Sequence, residues 1–100
     1  MTNFNQLDFK PVAESFGKGV QAIIHFPNGF GASVVSHDFS YGGKAGLFEL
    51  AVLDKHDNIL SNTDITDDVI GWQDEGDIDR LLFAISQLDS DGVLPSNVKL

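Results

Sequence analysis

The segment GVQAIIHFPNGFGASVVS at residues 19–36 predicts a β-hairpin. Two runs in which apolar residues alternate flank the tripeptide Pro27-Asn28-Gly29. A three-residue hairpin loop usually combines a type I turn with one left-handed residue, and these three residues suit its positions in that order. Gly29 takes the left-handed position because it has no Cβ to clash with the backbone.

The loop also fixes which residues of the two predicted strands lie opposite each other. Counting outward from it gives the pairs Phe26–Phe30, Ile24–Ala32, Ala22–Val34 and Val20–Ser36. Successive side chains of a strand point to opposite faces, so these residues form one almost wholly apolar face, which we expect to be the core side. A slip of one residue would bury His25 and His37 instead, so the register is well specified.

Two further strands are predicted after the hairpin. Residues 47–53 are apolar on both faces except at Glu49, which predicts a central strand covered on both sides. Residues 59–62 can return as a short fourth strand. Between this point and the helix, Thr66 predicts the cap of one helical turn through Val69 and Ile70, ended by Gly71.

The main helix is predicted to begin after Asp74, with Glu75 and Asp77 complementing its unpaired N–H groups. Apolar residues at steps of three and four form one stripe that should face the sheet: Ile78, Leu81, Leu82, Ile85 and Leu88. Phe83 falls outside this stripe, beside Asp79. It is expected either to be covered by the N-terminal arm or to be exposed as an anchor.

These elements predict one α+β domain over residues 1–100, a three- to four-stranded antiparallel β-meander with a C-terminal helix packed on one face. The expected parts are an N-terminal arm that lays its aromatic side chains on the core, the sheet, an acidic turn, the helix and a loose tail. Their predicted bounds are 1–17, 18–62, 63–73, 74–90 and 91–100 respectively.

The charge balance is the most unusual bulk property. Fifteen acidic residues stand against six lysines and arginines, for a formal net charge of −9. Nucleic acids and anionic membranes attract cationic surfaces, so this balance disfavours both as direct partners and favours basic protein surfaces. The chain contains no cysteine, which is more typical of a reducing compartment, and no apolar run long enough to span a membrane. We therefore expect a cytoplasmic protein.

The residue patterns predict neither catalysis nor a metal or cofactor. His25, His37 and His56 lack the four-residue spacing with which a helix binds zinc. The glycine-rich residues 42–46 are followed by a strand rather than a helix, and Ala45 follows Lys44 where a phosphate-binding loop needs Ser or Thr. None of the serines lies in a Gly-x-Ser-x-Gly elbow. We expect a non-enzymatic protein.

The acidic run is the strongest functional signal. Nine carboxylates lie between Asp64 and Asp91, with Arg80 as the single cation among them. Carboxylates spread along a rigid surface can imitate the phosphates of a duplex and occupy the basic groove of a nucleic-acid-binding protein, although charge runs are also commonly just solvated faces. We expect the partner-binding residues to be Asp64, Asp67, Asp68, Asp74, Glu75 and Asp79, with Trp72 and Phe83 as apolar anchors; core placement of Trp72 is the alternative.

Three stretches, taken together, resemble small acidic proteins of tailed bacteriophages. They are FPNGFGASVV at residues 26–35, SYGG at 40–43 with GLFELAVL at 46–53, and ITDDVIG at 65–71. The resemblance spans residues 24–88 and carries no known catalytic or binding residue. It implies a protein that acts in the cytoplasm of a bacterial host by binding and blocking host machinery, such as CRISPR, restriction or repair nucleases.

Two other functions stay open at the level of sequence. A structural module could form a homodimer through an exposed strand edge or through the face that carries Phe83. A small enzyme or ligand-binding domain could use residues 39–46, in which case a deep pocket lined by His37 and Asp38 should lie beside them.

Overall fold

In the computed structural model, which describes residues 3–100, an open antiparallel sheet carries one helix on one of its faces. The five strands found in this range lie side by side in chain order. They are β1 (Lys10–Pro11), β2 (Gly19–His25), β3 (Gly31–His37), β4 (Phe48–Leu53) and β5 (Val69–Gln73), and helix α1 is Glu75–Ser86. The predicted α+β meander is confirmed, with five strands instead of three to four.

The hairpin of β2 and β3 has the predicted register. Its pairs include Val20 with Ser36 and Ile24 with Ala32. In the loop, Gly29 adopts a φ of 92°, in the left-handed region that favours glycine. Ala32 is fully buried, which confirms that the apolar face is the core side.

Helix α1 begins with the predicted cap. The Asp74 carboxylate accepts a hydrogen bond from the N–H of Asp77 at 2.8 Å, and the Asp77 carboxylate accepts one from the N–H of Asp74 at 3.0 Å. This reciprocal capping box satisfies two N–H groups that the helix itself leaves unpaired. The whole predicted stripe is buried against the sheet: Ile78, Leu81, Leu82, Ile85 and Leu88.

The acidic turn predicted over residues 63–73 contains strand β5, which corrects the expected helical turn. The Thr66 hydroxyl does not begin a helix; it accepts a hydrogen bond from the N–H of Asp68 at 3.1 Å and closes a local turn. The chain then pairs with β4, because this pairing satisfies the backbone of the β-branched residues Val69 and Ile70.

The order of the strands corrects two further expectations. Residues 59–62 do not form a strand, and only one bridge joins Ile59 to Leu53. Because β5 occupies that side of the sheet, β4 is an interior strand, but β3 is the middle one of the five.

The N-terminal segment passes around one edge of the sheet, which explains why its apolar spacing fits no single period. Phe4 and Phe9 pack against Phe48 on the helix side, with ring centroids 5.0 to 5.6 Å apart. Strand β1 then pairs with the edge of β2, and the following residues, among them Phe16, lie on the opposite face. Residues 1–2 of the predicted arm lie outside the described range.

Asn28 connects the tip of the hairpin to the end of the helix. Its side-chain NH₂ donates to the carbonyls of Ile85 at 2.8 Å and Leu88 at 3.1 Å. Its side-chain oxygen accepts from the N–H of Phe30 at 3.1 Å. One turn residue therefore satisfies two carbonyls that the helix terminus leaves unpaired.

The predicted tail, residues 91–100, lacks regular structure but is not loose. Leu94 and Val98 pack against the core. The N–H of Leu94 also donates to the Asp64 carboxylate at 2.9 Å.

Candidate functional site

The carboxylates predicted to bind a partner are all exposed, and they divide between the two ends of β5. Asp64, Asp67 and Asp68 precede this strand, and Asp74, Glu75 and Asp79 follow it. A strand advances about 3.3 Å per residue, so Asp68 and Asp74 lie roughly 20 Å apart.

Three of these carboxylates have structural roles. Asp64 accepts from the N–H of Leu94, Asp74 caps α1, and Asp79 accepts from the N–H of Phe4. Binding a partner would compete with these contacts, so Asp64, Asp74 and Asp79 are partly committed to the fold.

The other three carboxylates are free to bind. Within residues 3–100, no hydrogen bond or ion pair engages the side chains of Asp67, Asp68 and Glu75. They flank β5, which is an edge strand. This edge therefore presents negative charge that the described fold does not use.

Trp72 lies on β5 between these carboxylates, and its residue surface is 63% exposed. Its φ is 59°, and the β4–β5 register shifts between Phe48 and Leu50, as in a β-bulge. The Trp72 N–H donates to the Tyr41 carbonyl at 3.1 Å instead of to β4. Core placement, the alternative for Trp72, is wrong; the bulge turns this residue outward.

Tyr41 is held beside Trp72 by close packing of the loop that follows β3. A Cβ at Gly71 would overlap the Cβ of Tyr41, so this approach requires glycine. The N–H of Tyr41 donates to the Glu49 carboxylate at 3.2 Å, and Tyr41 is itself exposed. We call the surface formed by Tyr41, Asp67, Asp68, Trp72 and Glu75 the acidic edge.

Phe83 lies apart from the acidic edge. It is 39% exposed and lies on α1 eight residues after Glu75, about 12 Å along the helix axis. The sequence-based grouping of Phe83 with Trp72 therefore joins two separate surfaces.

The face of the sheet opposite α1, here called the open face, carries a groove that the sequence analysis did not identify. Its volume is about 350 Å³. The floor comes from the sheet and the walls from the segment after β1 and from Ile59 and Val69. The lining residues are Pro11, Val12, Ala13, Phe16, Gln21, Ser33, Val35, His37, Glu49, Ala51, Ile59 and Val69.

Polar groups in this groove are mostly hydrogen-bonded to each other or to the adjacent loop. The Gln21 side chain donates to the Ser33 hydroxyl at 2.9 Å. His37 accepts from the N–H of Phe39 at 3.1 Å through Nδ1, which leaves Nε2 as the proton-bearing nitrogen of the neutral ring. Asp38 does not line the groove; its carboxylate accepts from the N–H of Lys18 at 3.0 Å. The expected pairing of His37 and Asp38 in one pocket is therefore absent from this groove.

Two carboxyl groups titrate differently from an ordinary aspartate. The N–H of Asp74, followed by the Arg80 guanidinium, holds the pKa of Asp77 below its ordinary value of 3.8. The N–H of Asn58, assisted by that of His56, does the same for the pKa of Asp54. Hydrogen bonds to the ionised form favour ionisation, and both groups belong to caps or turns rather than to the acidic edge.

Within residues 3–100, no cluster of three or more histidine or acidic side chains could hold a metal ion, and no helix has the length and apolarity needed to cross a membrane. The chain matches no protein-family model, no curated protein and no solved structure.

Proposed function

We propose that this chain is a non-enzymatic binding protein whose acidic edge engages a basic surface of another protein. The exposure of Trp72 carries this proposal. A bulky residue rarely adopts positive φ, and such backbone persists where the surrounding structure holds it, often at functional sites. Tryptophan and tyrosine are also the residues that most often dominate the binding energy of an interface.

The charge around Trp72 supports a basic partner. Free carboxylates lie on both sides of this side chain, and a net charge of −9 steers cationic proteins toward the molecule. A DNA strand carries one charge per about 3.4 Å of helix axis, so an acidic edge of roughly 20 Å covers the length of several phosphates. We propose that the partner is a nucleic-acid-binding protein of a bacterial host, blocked as in anti-CRISPR or anti-restriction inhibition.

A capture experiment tests this proposal. The protein is immobilised and exposed to bacterial lysate at about 50 mM salt, where screening is weak, and bound proteins are eluted with duplex DNA. We expect DNA to release proteins that bind nucleic acid, and we expect about 500 mM salt to prevent their capture. Trp72 is the only tryptophan, so its fluorescence should shift to shorter wavelength when a purified captured protein is added.

Matched variants separate the acidic edge from overall charge. Asp67→Lys with Asp68→Lys should abolish capture, whereas Asp8→Lys with Asp91→Lys changes the net charge equally and should leave capture intact. Trp72→Gly should also abolish capture while the melting temperature stays equal or rises, since glycine adopts the left-handed region without strain. Equal capture by both charge variants, or capture that DNA cannot displace, would overturn the proposal.

A further inference from the structure

The open face exposes apolar side chains next to its groove. Phe16 is 49% exposed and Ile59 is 60% exposed, and both line the groove. Ile23, on the neighbouring part of β2, is 48% exposed. Large contiguous apolar surfaces on a protein usually mark a place where another molecule binds.

The groove is poor in charge although the chain is rich in it. Of its twelve lining residues, Glu49 is the only carboxylate and none is lysine or arginine. Interface cores are depleted of charged residues, whereas a surface that attracts a basic partner needs carboxylates. The composition of the open face therefore fits an apolar, uncharged surface as its occupant and not the basic partner of the acidic edge.

We propose that this occupant is a second copy of the chain, in a symmetric dimer that buries the two open faces against each other. One face supplies both complementary shapes, because Phe16 and Ile59 project beside a groove of about 350 Å³. In a two-fold dimer the same patch meets itself, so the projecting side chains of each copy can fill the groove of the other.

The size of the face sets the strength of this dimer. Five strands spaced about 4.8 Å apart, each about 20 Å long, give a face of roughly 400 Å². Stable interfaces bury about 800 Å² per partner, and weak, reversible ones bury less. The dimer should therefore be reversible, with a dissociation constant on the order of micromolar rather than nanomolar.

Salt should strengthen this dimer. Two copies that each carry a charge of −9 repel one another, and salt screens this repulsion without removing the apolar contact. The acidic edge should respond in the opposite way, because salt weakens its attraction to a basic partner. The dimer does not rest on the proposed function, and the two can fail separately.

Sedimentation velocity of the purified full chain tests the dimer, over concentrations of about 1 to 500 μM that bracket a micromolar dissociation constant. We expect a monomer–dimer equilibrium that shifts toward dimer between about 50 and 500 mM salt. Ile59→Asp should raise the dissociation constant at least about tenfold, because it places a charge inside an apolar interface. Phe16→Ser should weaken the dimer in the same direction by removing one projecting side chain.

Phe83→Asp is the matched control, since Phe83 is a partly exposed apolar residue on the helix and receives the same charge. It should leave the dissociation constant unchanged. Circular dichroism melting of each variant checks that the fold is retained. Three results would overturn the dimer: a monomer at all concentrations and both salts, a dimer that Ile59→Asp and Phe16→Ser leave intact, or a dimer that only Phe83→Asp dissociates.

Discussion

The two faces of the sheet are built from the same strands but do different work. On β3, Val34 points to the helix side and is completely buried, while its neighbour Val35 forms part of the groove floor on the open face. On β4, Leu50 and Ala51 divide in the same way. The helix side holds a continuous apolar core, whereas the open face has only partial walls. Stability should therefore depend on the helix side, and association on the open face and the acidic edge.

The largest expected effect is on the helix side. Leu82 is completely buried in α1, and Leu82→Ala should lower the free energy of unfolding by about 2 to 5 kcal/mol, the cost of a core cavity. Ile59→Ala, on the open face, should change it by less than about 0.5 kcal/mol. Urea denaturation of both variants measures the difference. Similar losses would mean that the open face contributes to stability as much as the helix side does.

A smaller effect is expected where the loop after β3 covers the sheet beside the acidic edge. Gly71→Ala places a methyl group against the Cβ of Tyr41, and overpacking of this kind costs about 1 to 3 kcal/mol. The displaced loop should also weaken capture of a basic partner, because Tyr41 moves away from Trp72.

Gly76→Ala is the control for the same chemical change. Its added Cβ would lie 3.5 Å from the Asp74 carboxylate, an ordinary contact, and alanine favours a helix by about 0.5 to 1 kcal/mol over glycine. Thermal melting should show Gly71→Ala destabilised and Gly76→Ala equal or stabilised. A neutral Gly71→Ala would contradict the close packing of Tyr41 on the sheet.

The smallest expected effect is the response to acid. The pKa of Asp77 is lowered in the folded protein, so the stability that its ionised form contributes is fully present above the unfolded pKa near 3.8. It is lost as the pH falls through the lowered folded pKa. Asp77→Asn should therefore flatten the fall in melting temperature below about pH 4, while Glu75→Gln should leave that slope unchanged. Equal slopes for both variants would show that the capping box does not contribute to acid sensitivity.

Much of the fold follows from short-range patterns. Pro27-Asn28-Gly29 between alternating runs predicted the hairpin register, and Asp74 predicted the start of α1. The unpatterned spacing of residues 4–16 was also informative, because a segment that passes from one face to the other around a sheet edge cannot show one period. Nothing in the local sequence, however, indicated where that crossing occurs.

The site was predictable only in part. The sequence identified the carboxylates, but not that Asp64 and Asp79 bind backbone N–H groups of the two terminal segments. The groove was also missed, since its walls come from residues near 12, 59 and 69, which no single periodic pattern joins. The exposed apolar pair Phe16 and Ile59 was a usable signal, because neither fits the stripe of the helix or the core face of the hairpin.

By itself the sequence determined the hairpin, its register, the helix cap and the buried helical stripe, because each depends on backbone rules that act within a few residues. Tertiary structure alone decided that residues 69–73 form a strand, that Trp72 faces outward and that Asn28 caps the distant end of α1. These outcomes depend on groups far apart in the chain. The free edge of β4, the Tyr41 carbonyl and the last carbonyls of the helix become available only once the sheet and helix have packed together.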